Sequence, residues 1–153
     1  QNVVANGLVH VTIADDIPAA QADSVQIQQV LLNLLLNARD ATEAQSERTP
    51  AIHVDAACEN GIVIVAVSDN GIGISSPNPD SIFEPYFTTR EKGTGLGLAI
   101  SRTIIETHGG KITAENVSAH ETRITFTLPV SLVRPVFSPE KASRQSLVRR
   151  PAQ

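Results

Sequence analysis

The segment from residue 23 to about residue 45 constrains the chain most. Its apolar residues fall at Ile27, Val30, Leu31, Leu34, Leu35 and Ala38. Steps of three and four put them on one stripe of a helix, and that stripe has to be buried against a second layer. Asp23 or Ser24 caps the helix by accepting hydrogen bonds from its first unpaired N–H groups. β-Rich runs supply the second layer. Residues 8–14 read as a first strand, broken by Asp15-Asp16-Ile17-Pro18. Residues 52–57 and 62–69 flank Glu59-Asn60-Gly61, where Asn-Gly predicts a hairpin. Residues 70–97 are rich in Gly, Pro, Ser and Asn, with one short helical segment near 80–84; so long an irregular stretch inside a domain is usually functional. A second helix is expected over 96–108, stopped by Gly109-Gly110. Residues 111–115 and 122–128 form a closing hairpin. The order β-α-β-β-loop-α-β-β predicts an α+β fold. It is a two-layer α/β sandwich, with a mixed, mostly antiparallel sheet packed on about three helices.

Composition narrows the function. At 153 residues the chain is long enough for one self-supporting domain. The single cysteine, Cys58, excludes an internal disulfide framework and a cysteine-based zinc site. Aromatic residues make up 3%, too few for a base-stacking nucleic-acid platform. No apolar run approaches the roughly 20 residues of a membrane span, and nothing resembles a secretory leader. The chain starts at Gln1, as a piece of a longer protein would. Residues 1–133 carry a net charge of −8 and residues 134–153 a net of +4. An acidic body does not suit a DNA-binding face. The domain is expected to span 1–133, with 134–153 a basic, disordered tail or linker.

Four stretches carry chemistry. Asn33, Asn37 and Asp40 share one helix face, which Gln26 and Gln29 extend; amide oxygens can complete a Mg²⁺ shell shared with phosphates and water. Asp69-Asn70-Gly71-Ile72-Gly73-Ile74 follows an apolar strand, so its carboxylate can accept from an exocyclic amine while the glycines allow close approach to a planar ring. Gly93-Thr94-Gly95-Leu96-Gly97-Leu98 opens the second helix, whose N-terminal N–H groups suit an anion. Between the last two lies Ile82-Phe83-Glu84-Pro85-Tyr86-Phe87-Thr88-Thr89-Arg90-Glu91-Lys92. Its aromatics can anchor a lid, and Arg90 and Lys92 can face a polyphosphate. Taken singly, each stretch also reads as a solvated helix face, a glycine turn or a loop plug.

Taken together, in this order and spacing, they resemble the N, G1, F and G2 boxes of the catalytic ATP-binding domain of bacterial sensor histidine kinases. The resemblance covers about residues 8–129. It implies the Bergerat fold shared with DNA gyrase B, MutL and the heat-shock chaperone ATPases. It implies ATP contacts from Asn33, Asn37, Asp40, Asp69, Gly71, Gly73, Ile74, Thr88, Gly93, Thr94, Gly95, Leu96, Gly97, Leu98 and Thr125. Asn37 matches the principal Mg²⁺ ligand and Asn33 the second amide near the metal. Asp69 matches the acceptor of the adenine N6 amine, and Thr125 falls where the family often has a residue near the adenine water. The segment Ser101–Ile112 is similar to kinases of the oxygen- and nitrogen-sensing type.

Two departures matter. Many members carry Asn-x-x-Lys-Tyr, where this chain has Asp40 and Ala41, so Arg39, Arg90 or Lys92 is left to meet the phosphates. ATPase relatives place a glutamate base where this chain has Asn33, and an amide cannot take a proton from water. Transfer to another nucleophile is therefore favoured over hydrolysis. The family's phosphoacceptor motif, His-Glu-x-x-x-Pro, does not occur: His10, His53, His108 and His120 stand in other contexts. The resemblance implies a cytoplasmic, mainly monomeric catalytic module. It would act on a histidine of a separate helical dimerisation domain of the same parent, and indirectly on a response regulator, without touching nucleic acid or membrane. Two alternatives stay open: a stand-alone Ser/Thr kinase of the anti-sigma type, and a non-catalytic nucleotide-binding module.

Overall fold

The Asn60-Gly61 hairpin forms the centre of the sheet. Both residues have positive φ, 50° and 77°, as the tight turn matching strand twist requires. It joins β3 (Ile52–Glu59) to β4 (Ile62–Asp69) with Glu59 opposite Ile62 and Ile52 opposite Asp69. The protein is seen here in a computed structural model that describes residues 2–5, 7–87 and 95–131. Thr88, Arg90, Lys92, Gly93 and Thr94 lie outside the described residues, as does the tail 134–153.

Within that range the elements are β1 (Asn2–Ala5), β2 (Val9–Ile13), α1 (Ser24–Glu43), β3, β4, a 3₁₀ turn (Pro79–Phe83), α2 (Gly97–Thr107), β5 (Ile112–Ser118) and β6 (Glu121–Pro129). The sheet runs β1-β2-β3-β4-β6-β5. Only the β2–β3 pair is parallel, because α1 carries the chain across between them. The expected fold class holds, with one addition: β1 was not foreseen. It pairs with β2 through a turn containing Gly7 at φ 70°.

Asp23 is the cap of α1, accepting the Gln26 N–H at 2.9 Å. The helix buries Val30, Leu34, Ala38 and Thr42. Against them lie Ile52, Val67, Ile124, Phe126 and Leu128 from the sheet, Ile104 and Ile105 from α2, and Ile82 and Phe83 from the 3₁₀ turn. Burying a side chain such as Leu34 contributes roughly 2 kcal/mol. Gly109, at φ 74°, ends α2. His108 ties the two helices: its Nε2 accepts the Asp23 N–H at 3.1 Å, and its Nδ1 lies 2.7 Å from the Ile104 carbonyl oxygen. Among the described residues no helix is long and apolar enough to cross a membrane.

Candidate nucleotide site

The helix face that carries Asn33 and Asn37 does not meet the sheet flush. A cavity of about 520 Å³ opens between α1, the ends of β4 and β6, and the start of α2. That is within the roughly 300–1,000 Å³ usual for cofactor and small-ligand sites.

Its two ends differ in chemistry. The inner end is walled by Val67, Ile124 and Thr122 around Asp69. Asp69 ends β4 opposite Thr122 and is only 7% exposed. Burial disfavours its ionised form and pushes its pKa up to about 6, against the opposing effect of the Gly71 N–H, which donates to Oδ1 at 2.9 Å. A buried acceptor among apolar walls suits a planar base with one amine donor. The chain beyond Asp69 is firmly held. Arg48 donates to the Asn70 and Gly71 carbonyls at 3.1–3.3 Å, the Asn70 side chain bonds Ala51 and Thr49, and the Ile72 N–H donates to Ala41 O at 3.1 Å.

The other end is polar. Asn33 Nδ2 donates to Gly97 O at 3.1 Å and to Ser101 Oγ at 3.2 Å, and Asn37 Nδ2 donates to Asn33 O at 2.8 Å. In both amides the nitrogen is committed to the protein, so the end able to meet a cation is the oxygen. The residue before α2 is Leu96, whose side chain has no acceptor for the first N–H groups, and there the N–H groups and the helix dipole favour an anion. Gly97 and Leu98 bring that start to the cavity. At the mouth, the Tyr86 N–H donates to Gly95 O at 2.9 Å.

Of the residues expected here, Asn33, Asn37, Asp40, Asp69, Gly73, Ile74, Gly95, Gly97 and Leu98 line the cavity. Three do not. Gly71 packs on α1: a β-carbon there would sit 2.5 Å from the Ala41 carbonyl carbon, so its missing side chain allows this close approach to the helix. Leu96 precedes the lining turn of α2. Thr125 lies on the opposite face of the sheet, because the buried alternation of β6 runs Thr122, Ile124, Phe126, Leu128. Thr122 lines the cavity instead, and counting along the alternation from the apolar Ile124 and Phe126 would have found it.

Arg39 is also absent from the lining; it pairs with Asp40 at 2.8 Å and reaches Glu43 at 3.6 Å. Of the expected lid anchors, Phe83 is buried and Phe87 packs against the core, whereas Tyr86 is 77% exposed with φ 67°. Leu36, Ala41, Ile72, Ser75 and Ile82, not expected as ligand contacts, also line the walls.

Comparison with known proteins identifies the family. A family model described as histidine kinase-, DNA gyrase B- and HSP90-like ATPase matches residues 22–132. The sensor histidine kinase ZraS of Escherichia coli (strain K12) is 42% identical over 123 residues, 80% of this chain and 26% of that protein. Sensor protein FixL of Bradyrhizobium diazoefficiens is 43% identical over 110 residues, 72% of this chain and 22% of that protein. The chain thus spans about a quarter of the length of these relatives. Among solved structures, the nucleotide-free catalytic domain of histidine kinase ThkA superposes with a TM-score of 0.66 at 37% identity, covering 78% of this chain and 76% of that one. Full-length ShkA in complex with AMPPNP superposes at 0.68 with 28% identity, covering 80% and 25%.

Proposed function

The chain belongs to the histidine kinase-, DNA gyrase B- and HSP90-like ATPase family, as a histidine kinase catalytic domain, and from that premise we propose that it binds Mg-ATP in this cavity and donates the γ-phosphate to a histidine on a separate helical domain of its parent. One observation carries the reading: a single cavity holds a buried carboxylate at its apolar end and two helix-borne amides beside a helix start at its polar end.

Adenine would enter the inner end, its N6 amine donating to Asp69 while Val67, Ile124 and Ile74 cover the ring. The triphosphate would extend past Ala38 toward Asn33, Asn37 and the start of α2. Two neutral amide oxygens are hard donors, too weak to hold a divalent cation alone but suited to share one with phosphate oxygens. The donor set therefore fits Mg²⁺, which Asn37 and Asn33 would hold. Once bound, that ion supplies charge neutralisation on the phosphates. Phosphoryl transfer needs little covalent help from the protein, mostly positioning and electrostatic stabilisation. Asn33 offers no base, so water is poorly activated and the phosphate persists until a better nucleophile arrives.

The acceptor helices would belong to the same parent, and a response regulator would receive the phosphate afterwards; the isolated module would be monomeric. The test is to mix the purified chain with a phosphoacceptor helical domain and γ-labelled ATP. Label on histidine supports the reading. Label on serine or threonine points to the anti-sigma type of kinase, and retained binding without label to a non-catalytic nucleotide module.

A further inference from the structure

Resting on the ATP reading above, we infer that Asn116 of β5 is a positioning residue for the base end of the cavity, holding the Gly73–Ile74 backbone in place through both ends of its side-chain amide. Its Oδ1 accepts the Ile74 N–H at 3.0 Å, and its Nδ2 donates to the Ile74 carbonyl oxygen at 2.7 Å. The side chain thus does what a neighbouring strand's peptide would do, pairing with both polar groups of one residue.

The position explains why an amide is needed. β5 is the last strand of the sheet, so its outer edge has no strand to pair with. The segment after Asp69 covers that edge at two points: Asp80 Oδ1 accepts the Ala114 N–H at 2.8 Å, and Asn116 grips Ile74. The β5–β6 register shifts between Asn116 and Ser118, and such an irregularity re-aims a side chain.

Gly73 and Ile74 both line the cavity, as does Thr122, whose hydroxyl lies 3.4 Å from Asn116 Oδ1. Thr122 in turn stands opposite Asp69. Asn116 itself is exposed and outside the lining, so it touches no ligand and acts through Ile74. Gly73 is at φ 80°, with space for a β-carbon 3.5 Å from Asn116 Oδ1. That conformation is not set by local sterics, since glycine reaches many others; the amide selects it.

The test compares the chain with Asn116→Ala and Asn116→Asp, the second keeping the acceptor for the Ile74 N–H while setting an oxygen against the Ile74 carbonyl. Affinity for a non-hydrolysable ATP analogue and for ADP is measured with magnesium, alongside hydrogen exchange at Ile74 and the nucleotide-free thermal midpoint. Both variants are expected to weaken both nucleotides by a similar factor, about three- to tenfold. Exchange at Ile74 should accelerate while the midpoint stays within a few degrees. Unchanged affinity in both variants, or affinity lost only in step with unfolding, overturns the inference and leaves the ATP reading intact. Failure of the unaltered chain to bind either nucleotide overturns both.

Discussion

Asn33 Nδ2 donates to the Gly97 carbonyl oxygen at 3.1 Å, so one residue of the polar wall also joins α1 to the first turn of α2. Asn37, one turn on, donates from Nδ2 to the Asn33 carbonyl oxygen of its own helix at 2.8 Å. The two amides should therefore respond differently to truncation. Asn33→Ala removes two interhelical hydrogen bonds, including one to the fully buried Ser101, and is expected to lower stability by about 1–2 kcal/mol as well as nucleotide affinity. Asn37→Ala gains helix propensity and is expected to keep the fold while losing magnesium-dependent nucleotide binding. Denaturant unfolding together with calorimetric titration separates the two outcomes.

Gly71 and Gly73 belong to one motif but do different work. A methyl at Gly71 meets Ala41 backbone atoms at 2.5 and 2.6 Å, which cannot move without bending α1. Gly71→Ala is expected to cost about 1–3 kcal/mol. Gly73→Ala meets no close atom but forces an L-residue to φ 80°, at about 1–2 kcal/mol. It should also disturb ligand binding more, relative to stability, because only Gly73 lines the cavity. Denaturation midpoints and nucleotide affinities of the two variants check the split.

Asp69 makes binding and stability respond oppositely to acid. Its folded pKa is raised, from 3.8 to about 6. Its stabilising contribution is therefore fully present below about pH 4 and is lost as pH rises through 6. Asp69→Asn, neutral at every pH, is expected to raise the thermal midpoint at pH 7, by the equivalent of roughly 1–3 kcal/mol. That advantage should shrink as pH falls from 6 toward 4. Nucleotide affinity of the unaltered chain should fall over the upper part of the same range, as the acceptor of the N6 amine gains a proton. Melting curves and titrations at several pH values test both halves.

Much of this was legible in the sequence because it is local. The stripe from Ile27 to Ala38 specifies α1, Asn60-Gly61 specifies the central hairpin, and the spacing of Asn33 and Asn37 puts both on one wall. What was missed depends on tertiary contact. β1 is four residues without clear alternation, recognisable only beside β2. The reason for a glycine at 71 is the approach of Ala41, distant in sequence. Thr125 is outside the lining because the period-two alternation of β6 turns Thr122 inward instead, a pattern that family position does not carry. Asp40, expected among the ATP contacts, does line the cavity, but it also pairs with Arg39.

The central claim is that the cavity between α1, the ends of β4 and β6, and the start of α2 holds a magnesium-dependent adenine nucleotide. Calorimetric titration of the chain with a non-hydrolysable ATP analogue tests it most directly, run with magnesium, with a chelator, and on Asn37→Ala. The account predicts one-site binding with magnesium, and marked weakening both with the chelator and in the variant. Absence of heat with magnesium present, or binding indifferent to both magnesium and Asn37, would contradict it.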